Sequence, residues 1–358
     1  MTGADTTTWL RIFRTRGVGP ILFHSLLKKY RRPEDAIHYL NYKKFTLPDH
    51  DIILKEIEQT VNSGARMIFC ADPEYPEILK QAKDAPPFLI LKGRVDLLIK
   101  PCISIVGSRN ASIHGSKIAY DLAKSLSEAG FIIVSGLARG IDRQAHLGAI
   151  KNTIAVVANG IDQIYPPENK DIYSQLAQTG TILTEAPFGT PPTQYLFPGR
   201  NRIIAGLSIA TVVVEATKFS GSLLTAEFAL NYGRDVFGVP GCPLDPRSHG
   251  PNTLIQNGAY LIQNYLDIIN QINLPTIRNN SNSSEMKLTQ GKLIEPENSE
   301  EEVDSRAAIL NCLSQKPACI DEISLHTGID IGQVRRTLIE LEIDGLASCL
   351  PGDMVILN

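Results

Sequence analysis

The chain has 358 residues, of which 43% are hydrophobic, a formal net charge of −3, and six cysteines without a CxxC pair. This length predicts two or three domains, and the scattered cysteines favour reduced thiols in the cytoplasm over a disulfide framework or a zinc site. No uncharged apolar run of about 18 residues occurs, and the first residues lack the pattern of a secretion signal, so neither a membrane span nor export is expected.

Residues 1–64 are predicted to be helical and form a small domain. The stretch RTRGVGPILFHSLLKKY resembles a helix–hairpin–helix element with Gly17-Val18-Gly19 as its turn. Such turns offer backbone N–H groups to DNA phosphates, although an ordinary helical turn fits the motif equally well. The surrounding cations are Arg14, Arg16, Lys28, Lys29, Arg31 and Arg32.

Residues 65–270 alternate short β-branched runs with helical patterns. The runs at 102–106, 131–134, 153–158, 181–184, 211–215 and 235–239 are nearly all apolar. Strands of this kind alternating with helices predict an α/β fold, with a parallel sheet that helices cover on both faces.

Glycine- and serine-rich loops follow several of these strands, and each contains or adjoins a cation. They are VGSR (106–109), SGLARG (135–140), PGRNR (198–202) and EATKFSGS (215–222). Because ligands of parallel sheets bind at the carboxyl ends of the strands, these loops predict an electropositive trough for phosphates.

Common nucleotide chemistries fit this trough poorly. The loop after the first of these strands is not GxGxxG, no GxxxxGK[ST] occurs, and no cluster has metal-ligand spacing, so no cofactor or metal is predicted. Asp142 and His146 lie four residues apart on one predicted helix. We interpret them as a carboxylate in the first turn and a packed side chain rather than a catalytic pair.

The end of the chain divides into two parts. Residues 271–302 are rich in Asn, Ser and Glu without periodicity, which predicts a flexible linker. Residues 303–358 show three helical patterns and two short strands, which resembles a winged helix. This unit carries 4 Lys or Arg against 8 Asp or Glu, which disfavours tight DNA binding through phosphate neutralisation.

Long motifs give the chain a family resemblance. ISIVGSRNASIHG, SGLARGIDRQAHLGA, TIAVVANGIDQIYPPEN, FPGRNRIIAGLS, VVVEATKFSGSLLTAEFALNYGRDVFGVPG and GPNTLIQNGA together resemble the DNA-processing protein A (DprA/Smf) family almost continuously from about 72 to 262. The resemblance implies an extended Rossmann-like core that binds single-stranded DNA. It also implies a homodimeric, non-enzymatic mediator that protects incoming DNA and loads RecA recombinase onto it during natural transformation.

The resemblance also implies which residues contact DNA. In the first two loops these are Gly107, Ser108, Arg109, Ser135, Gly136, Arg139 and Gly140; in the later two they are Asn201, Arg202, Lys218, Phe219, Ser220, Gly221 and Ser222. Some members have lysine directly before SGS, where this chain has Phe219, so either Lys218 reaches the DNA differently or the ring stacks on a base. Arg202 is preferred over Arg200, which is as readily an ion-pair partner.

One alternative of another class stays open at this stage. Related folds with glycine-rich loops and arginines include phosphoribohydrolase-like enzymes that cleave nucleotides. Their PGGxGTxxE motif is absent, and Glu185, Glu215 and Glu227 are the nearby carboxylates that such an enzyme could use.

Overall fold

The computed structural model describes residues 3–30, 32–272, 305–350 and 353–358. Most of the predicted linker, residues 271–302, lies outside these ranges. Within them, no helix is both long and apolar enough to cross a membrane.

Four helices form the N-terminal part: α1 (Gly3–Phe13), α2 (Pro20–Lys29), α3 (Pro33–Tyr42) and α4 (His50–Asn62). The predicted glycine turn joins α1 to α2. Gly17 has a φ of +90°, which residues with a side chain rarely adopt, and the buried Val18 anchors the turn. Pro20 occupies the first position of α2, where an N–H would have no partner within the helix.

Arg14, one of the cations expected around this turn, has a structural role. Its guanidinium contacts Glu56 of α4 at 2.7 Å and donates a hydrogen bond to the Glu185 carbonyl oxygen at 3.0 Å. The side chain is only 10% exposed, so it joins α1 to α4 and to the central part of the chain.

The central part contains a sheet of nine strands. Its strands are β1 (Arg66–Phe69), β2 (Phe88–Gly93), β3 (Cys102–Val106), β4 (Ile132–Ser135), β5 (Thr153–Val156), β6 (Thr181–Thr184), β7 (Ala210–Val213), β8 (Asp235–Gly238) and β9 (Tyr260–Leu261). Its helices are α5 (Glu77–Lys80), α6 (Ile113–Glu128), α7 (Ile141–Gly148), α8 (Lys170–Thr179), α9 (Phe197–Leu207), α10 (Gly221–Asn231), α11 (His249–Gln256) and α12 (Tyr265–Gln271).

The strand order is β1-β2-β6-β5-β4-β3-β7-β8-β9. Strands β3 to β9 pair in parallel with one another, which confirms the predicted parallel sheet for the apolar runs. The sheet is not parallel throughout, because β2 pairs antiparallel with both β1 and β6. These two added strands extend the Rossmann-like core on the side that faces the N-terminal helices.

The N-terminal helices share a hydrophobic core with these added strands. The ring of Phe23 in α2 lies 6.3 Å from that of Phe69 in β1 and 6.2 Å from that of Phe88 in β2. Trp9 of α1, the single tryptophan of the chain, is fully buried and packs edge-on against Phe23 at 5.5 Å. The predicted division at residue 64 therefore runs through a continuous apolar cluster.

The C-terminal part has the predicted winged-helix elements: α13 (Ser305–Cys312), β10 (Ala318–Cys319), α14 (Ile320–Thr327), α15 (Ile331–Ile343), β11 (Ala347–Leu350) and β12 (Met354–Leu357). Strands β11 and β12 form the antiparallel wing, and β10 pairs with β12. A small apolar core, which includes Val334 and Leu338 of α15, lies between the helices and this sheet.

The winged helix contacts the central part mainly through polar groups. The Arg247 guanidinium donates hydrogen bonds to the carbonyl oxygens of Asn311 and Leu313 at the end of α13, and Asp245 holds it at 3.0 Å. Ile113 adds an apolar contact with the winged-helix core. Arg247 thus supplies donors to carbonyl groups that a helix end leaves without partners.

Candidate nucleic-acid interface

The parallel strands bring six loops to one edge of the sheet. Since β3 to β8 point the same way, the loops that follow them all lie at their carboxyl edge. The chain runs from β3 outward to β6 and then returns to β7 on the other side of β3. This reversal creates the crevice at which open α/β sheets bind ligands.

A cleft of about 390 Å³ lies at this edge. Its lining residues are Arg109, Gly136, Leu137, Ala138, Arg139, Val157, Ala158, Asn159, Tyr165, Pro166, Phe197 and Arg200. Within the part of the chain that the structure describes, this lining includes three arginines and no carboxylate. The cleft therefore combines positive charge with aromatic and aliphatic walls, which suits an anionic ligand that carries a ring.

Arg109, the predicted DNA contact of the loop after β3, is exposed at the cleft. Its guanidinium lies over the Phe197 ring, 5.1 Å from the ring centroid. The neighbouring Ser108 hydroxyl accepts a hydrogen bond from the Asn110 N–H at 3.1 Å, which shapes the loop after β3. A cation over an aromatic face is favourable, so Phe197 holds Arg109 in place without neutralising its charge.

The SGLARG loop is held from inside by Asp142. One carboxylate oxygen of this buried residue accepts hydrogen bonds from the N–H groups of Gly136 at 3.0 Å and Ala138 at 3.4 Å. Burial raises the pKa of Asp142, while the Arg200 charge opposes that shift. Asp142 thus fixes the backbone of a loop that lines the cleft.

Ser135 lies beneath the cleft rather than in it. The residue is fully buried, and its hydroxyl donates a hydrogen bond to the Ile105 carbonyl oxygen at 2.6 Å. The structure therefore does not bring Ser135 to the surface where the resemblance would have it contact DNA. Its hydroxyl instead joins β4 to β3.

Two glycines of this loop allow close backbone approach. Gly140 has a φ of +70°, and a Cβ there would overlap the carbonyl oxygens of Ser108 and Arg109. A Cβ on Gly136 would overlap the Arg200 guanidinium. Any larger residue at either position would displace an arginine that lines the cleft.

Arg139 stands at the rim of the cleft with its side chain 57% exposed. Its nearest opposite charge is the Glu168 carboxylate, 3.6 Å away and similarly exposed. Exposed pairs of this kind contribute little to stability, so a phosphate can replace Glu168 as the partner of Arg139.

His146 is a packed side chain, in line with the interpretation of the sequence. The Leu137 N–H points at its Nε2 at 3.3 Å, so Nε2 accepts and the proton lies on Nδ1, which donates to the Thr153 hydroxyl at 2.8 Å. That hydroxyl in turn donates to the Ile133 carbonyl oxygen at 2.7 Å. Burial, together with the Arg200 charge, lowers the pKa of His146 to about 3.

Arg200 lines the cleft although the sequence favoured Arg202. Its guanidinium donates hydrogen bonds to the carbonyl oxygens of Gly136 and Val156, the latter at 2.8 Å. The residue is 7% exposed, and burial lowers its pKa to about 10, which leaves it charged at neutral pH. Arg200 thus provides a fixed positive charge in the cleft wall.

Arg202 points away from the cleft. Its guanidinium pairs with the Glu185 carboxylate and donates a hydrogen bond to the Asp84 carbonyl oxygen at 2.6 Å. Residues two apart on a helix project to nearly opposite sides, and both arginines belong to α9. Of the two arginines, Arg200 therefore lines the cleft, whereas Arg202, which the sequence favoured as the DNA contact, lies in a partly buried ion pair.

The SGS loop lies at the same edge but outside the cleft lining. Ser220 caps α10 by accepting a hydrogen bond from the Ser222 N–H at 3.4 Å. The Asn201 side chain donates to the Gly221 carbonyl oxygen at 3.1 Å, which joins α9 to α10. Lys218 and Phe219 are both exposed on this loop, with the Lys218 ammonium 5.6 Å from the Phe219 ring centroid.

The three carboxylates considered for a nucleotide-cleaving enzyme do not line the cleft. Glu185 pairs with Arg202, and Glu227 is half-buried on α10. Glu215 accepts hydrogen bonds from the N–H and hydroxyl of Ser112, at 2.9 and 2.5 Å, before the start of α6. Burial raises the pKa of Glu215, which these hydrogen bonds partly offset. Among the described residues, nothing at the cleft favours that alternative.

Sequence reasoning missed two cleft residues, Tyr165 and Phe197. Their ring centroids lie 6.1 Å apart, and Phe197 is the ring that carries Arg109. Both belong to motifs typical of the family resemblance, yet neither is a cation, glycine or serine. An aromatic residue beside proline in a loop after a predicted strand was the available indication.

Family models match all three parts of the chain. One described as DNA recombination-mediator protein A matches residues 66–273. A DprA winged helix domain matches residues 295–353, and a DprA-like N-terminal HHH domain matches residues 3–57.

Individual relatives agree with these models. The chain is 33% identical to Protein Smf of Synechocystis over 98% of both chains, and 43% identical to DNA processing protein DprA of Bacillus subtilis over 58% of this chain and 72% of the relative. The structure of DprA from Streptococcus pneumoniae superposes with a TM-score of 0.66 at 33% identity, over 77% of this chain and 99% of that one. A Helicobacter pylori DprA structure, described for its single-stranded DNA binding mode, gives a TM-score of 0.54 at 31% identity, over 57% of this chain and 94% of that one.

The fold and the comparisons together classify the chain. A mostly parallel sheet with a cationic cleft, a helix–hairpin–helix part and a winged helix define a Rossmann-like α/β protein with two smaller appended parts. The chain belongs to the DNA recombination-mediator protein A family, also called DprA/Smf.

Proposed function

We propose that this chain binds single-stranded DNA along the carboxyl edge of its sheet, without cutting it. The observation that carries the proposal is the cleft whose described lining has Arg109, Arg139 and Arg200 and no carboxylate. The single-stranded DNA binding described for the Helicobacter pylori relative supports it. Arg109 and Arg139 are exposed enough to contact phosphates, whereas Arg200 adds a fixed charge behind them.

The remaining predicted DNA contacts divide by position. Gly107, Ser108, Gly136 and Gly140 shape the backbone of the first two loops, and Lys218, Phe219, Ser220, Gly221 and Ser222 extend the interface past β7. Asn201 and Arg202 act indirectly: Asn201 positions Gly221 through a hydrogen bond, and Arg202 pairs with Glu185. In this proposal Arg202 positions α9 and makes no phosphate contact of its own.

Binding to labelled oligonucleotides at several salt concentrations tests the proposal. We expect a strong preference for single strands and a negative slope of log affinity against log salt. Arg109→Ala and Arg139→Ala should each weaken binding and reduce the slope by about 0.7, because one phosphate contact is lost. Lys100→Ala is the matched control, since Lys100 lies just before β3, at the end of that strand opposite Arg109.

Two outcomes would overturn the proposal. One is an equal loss of affinity in Lys100→Ala and Arg109→Ala, because the effect would then be general electrostatics. The other is release of a free base from a nucleoside monophosphate without oligonucleotide binding, which would favour the nucleotide-cleaving alternative.

We further propose that the chain acts in the cytoplasm as a homodimeric mediator that protects incoming DNA and loads RecA recombinase onto it during natural transformation. Membership of the family supports this role. It is tested by adding the chain to RecA and DNA covered with single-strand-binding protein, with strand exchange as the readout. Light scattering gives the oligomeric state. A monomer, or no stimulation of RecA, would contradict the corresponding part of the proposal.

A further inference from the structure

Three exposed aromatic rings lie at the carboxyl edge of the sheet. Tyr165, Tyr195 and Phe219 are 37%, 78% and 67% exposed. They follow three different strands, since Tyr165 comes after β5, Tyr195 after β6 and Phe219 after β7. Parallel pairing of these strands places Tyr165 and Phe219 at the edge that also carries the cleft. Tyr195 lies near the same edge, because it precedes Phe197 of the cleft lining by two residues.

The fold makes little use of these rings. Among the described residues, the Tyr195 side chain has neither a hydrogen bond nor a ring contact, and the Phe219 ring pairs with no other ring and lies beside one cation, the ammonium of its neighbour Lys218. Tyr165 leans against Phe197, with an angle of 41° between the rings, and leaves more than a third of its surface in water. Covering these exposed rings with a ligand is favourable, because apolar surface is then removed from water.

The strand order places cations between the rings. Following the strands from β5 to β7, the loops present Tyr165 after β5, Arg139 after β4, Arg109 after β3 and Phe219 after β7. Tyr195 lies two residues before Phe197, whose ring contacts both Tyr165 and Arg109. Strands β5 and β7 are three strand spacings apart, about 14 Å in all. This distance exceeds one nucleotide, so the row suits a polynucleotide whose phosphates meet the arginines while its bases meet the rings.

We propose that Tyr165, Tyr195 and Phe219 are stacking platforms for unpaired bases, and that they supply the preference for single strands. This inference rests on the proposed function. Aromatic rings stack with any base, because every base has a π-face, so binding stays independent of sequence. In a duplex the faces of the bases are already stacked on one another, and the rings gain nothing from them.

Substitution of the two most exposed rings tests the inference. Tyr195→Ala and Phe219→Ala should each weaken single-strand binding by about 5- to 150-fold. The salt slope should stay that of the unchanged chain, because stacking releases no counterions. Tyr195→Phe should retain the affinity, and Tyr120→Ala is the control for a partly exposed tyrosine, on α6 and outside the row.

Oligonucleotides without bases provide a second measurement on the same variants. The unchanged chain should bind an abasic strand more weakly than a normal one, and Tyr195→Ala should bind the abasic strand as the unchanged chain does. Full affinity of Tyr195→Ala and Phe219→Ala for the normal strand would overturn the inference and leave the proposed function intact. Absence of any single-strand binding by the unchanged chain would remove both. Full DNA affinity with lost RecA stimulation would assign the rings to a protein contact instead, which also overturns the inference.

Discussion

At the scale of single residues, the buried imidazole of His146 makes the folding stability depend on pH. In the folded chain its pKa is about 3, whereas an unfolded histidine has a pKa near 6.5. Between these values the unfolded state binds the proton and the folded state does not. Folding stability from this group is therefore present above about pH 6.5 and is lost as the pH falls.

Urea unfolding at several pH values checks this expectation with His146→Gln. The variant cannot take up the proton, so its free energy of unfolding should fall less on acidification than that of the unchanged chain. The difference in free energy of unfolding between the unchanged chain and His146→Gln should decrease by about 2 kcal/mol as the pH is lowered from about 7.5 to 5. A difference between His146→Gln and the unchanged chain that stays constant with pH would contradict the neutral, buried imidazole.

At the scale of elements, α9 directs two arginines to different tasks. We expect Arg200→Met to weaken single-strand binding and lower the salt slope, because a charge in the cleft wall is lost. Arg202→Met should retain the slope but lower the free energy of unfolding by about 1–3 kcal/mol, because Glu185 is left partly buried without its partner.

A double variant makes the second expectation sharper. Removing the Glu185 charge as well, in Arg202→Met with Glu185→Leu, should recover most of the lost stability, since no unpaired charge remains. Denaturant unfolding and DNA titration on the same three proteins separate the two roles. If Arg202→Met loses the salt slope and Arg200→Met retains it, the roles of the two arginines are reversed.

The position of the loops could be predicted from the sequence, but the rotation of α9 about its own axis could not. Strand ends could be predicted because apolar β-branched runs stop at glycine and serine, and parallel strands must share an edge. Whether Arg200 or Arg202 faces that edge depends on the rotation of a helix that begins at Phe197, which the Pro-Gly pair at 198–199 obscures. Tyr165 escaped prediction for a related reason: its loop has no periodicity from which to infer where a ring would lie.

At the scale of the whole molecule, the two ends of the chain are attached in different ways. The N-terminal helices share apolar surface with β1 and β2, so deleting residues 1–62 would expose Phe69 and Phe88 to water. We expect the shortened chain to melt at a lower temperature and to aggregate, whereas a chain ending at residue 272 should keep the stability of the sheet. Calorimetry and light scattering of both truncations check this; equal stability of the two would contradict the shared core.

The winged helix depends instead on a few polar contacts around Arg247. Arg247→Ala removes the donors to Asn311 and Leu313, so the winged helix should separate from the sheet while each part stays folded. We expect a larger radius of gyration by small-angle scattering and faster proteolytic release of the winged helix, with unchanged circular dichroism. Arg234→Ala is the control for the loss of one arginine, since its guanidinium donates to the Ile78 carbonyl oxygen instead. An unchanged radius in Arg247→Ala would mean that Ile113 and its neighbours hold the winged helix without it.

The burial of Trp9 gives the molecule two separate optical reporters. The only indole lies in the core that joins the N-terminal helices to β1 and β2, while the rings at the carboxyl edge are tyrosine and phenylalanine. Indole fluorescence, excited at the red edge of the aromatic absorption band, therefore reports the attachment of the N-terminal helices and does not respond to binding in the cleft. Tyrosine emission, in contrast, should be quenched when a strand covers Tyr165 and Tyr195, so one cuvette can distinguish loosening of the fold from occupancy of the edge.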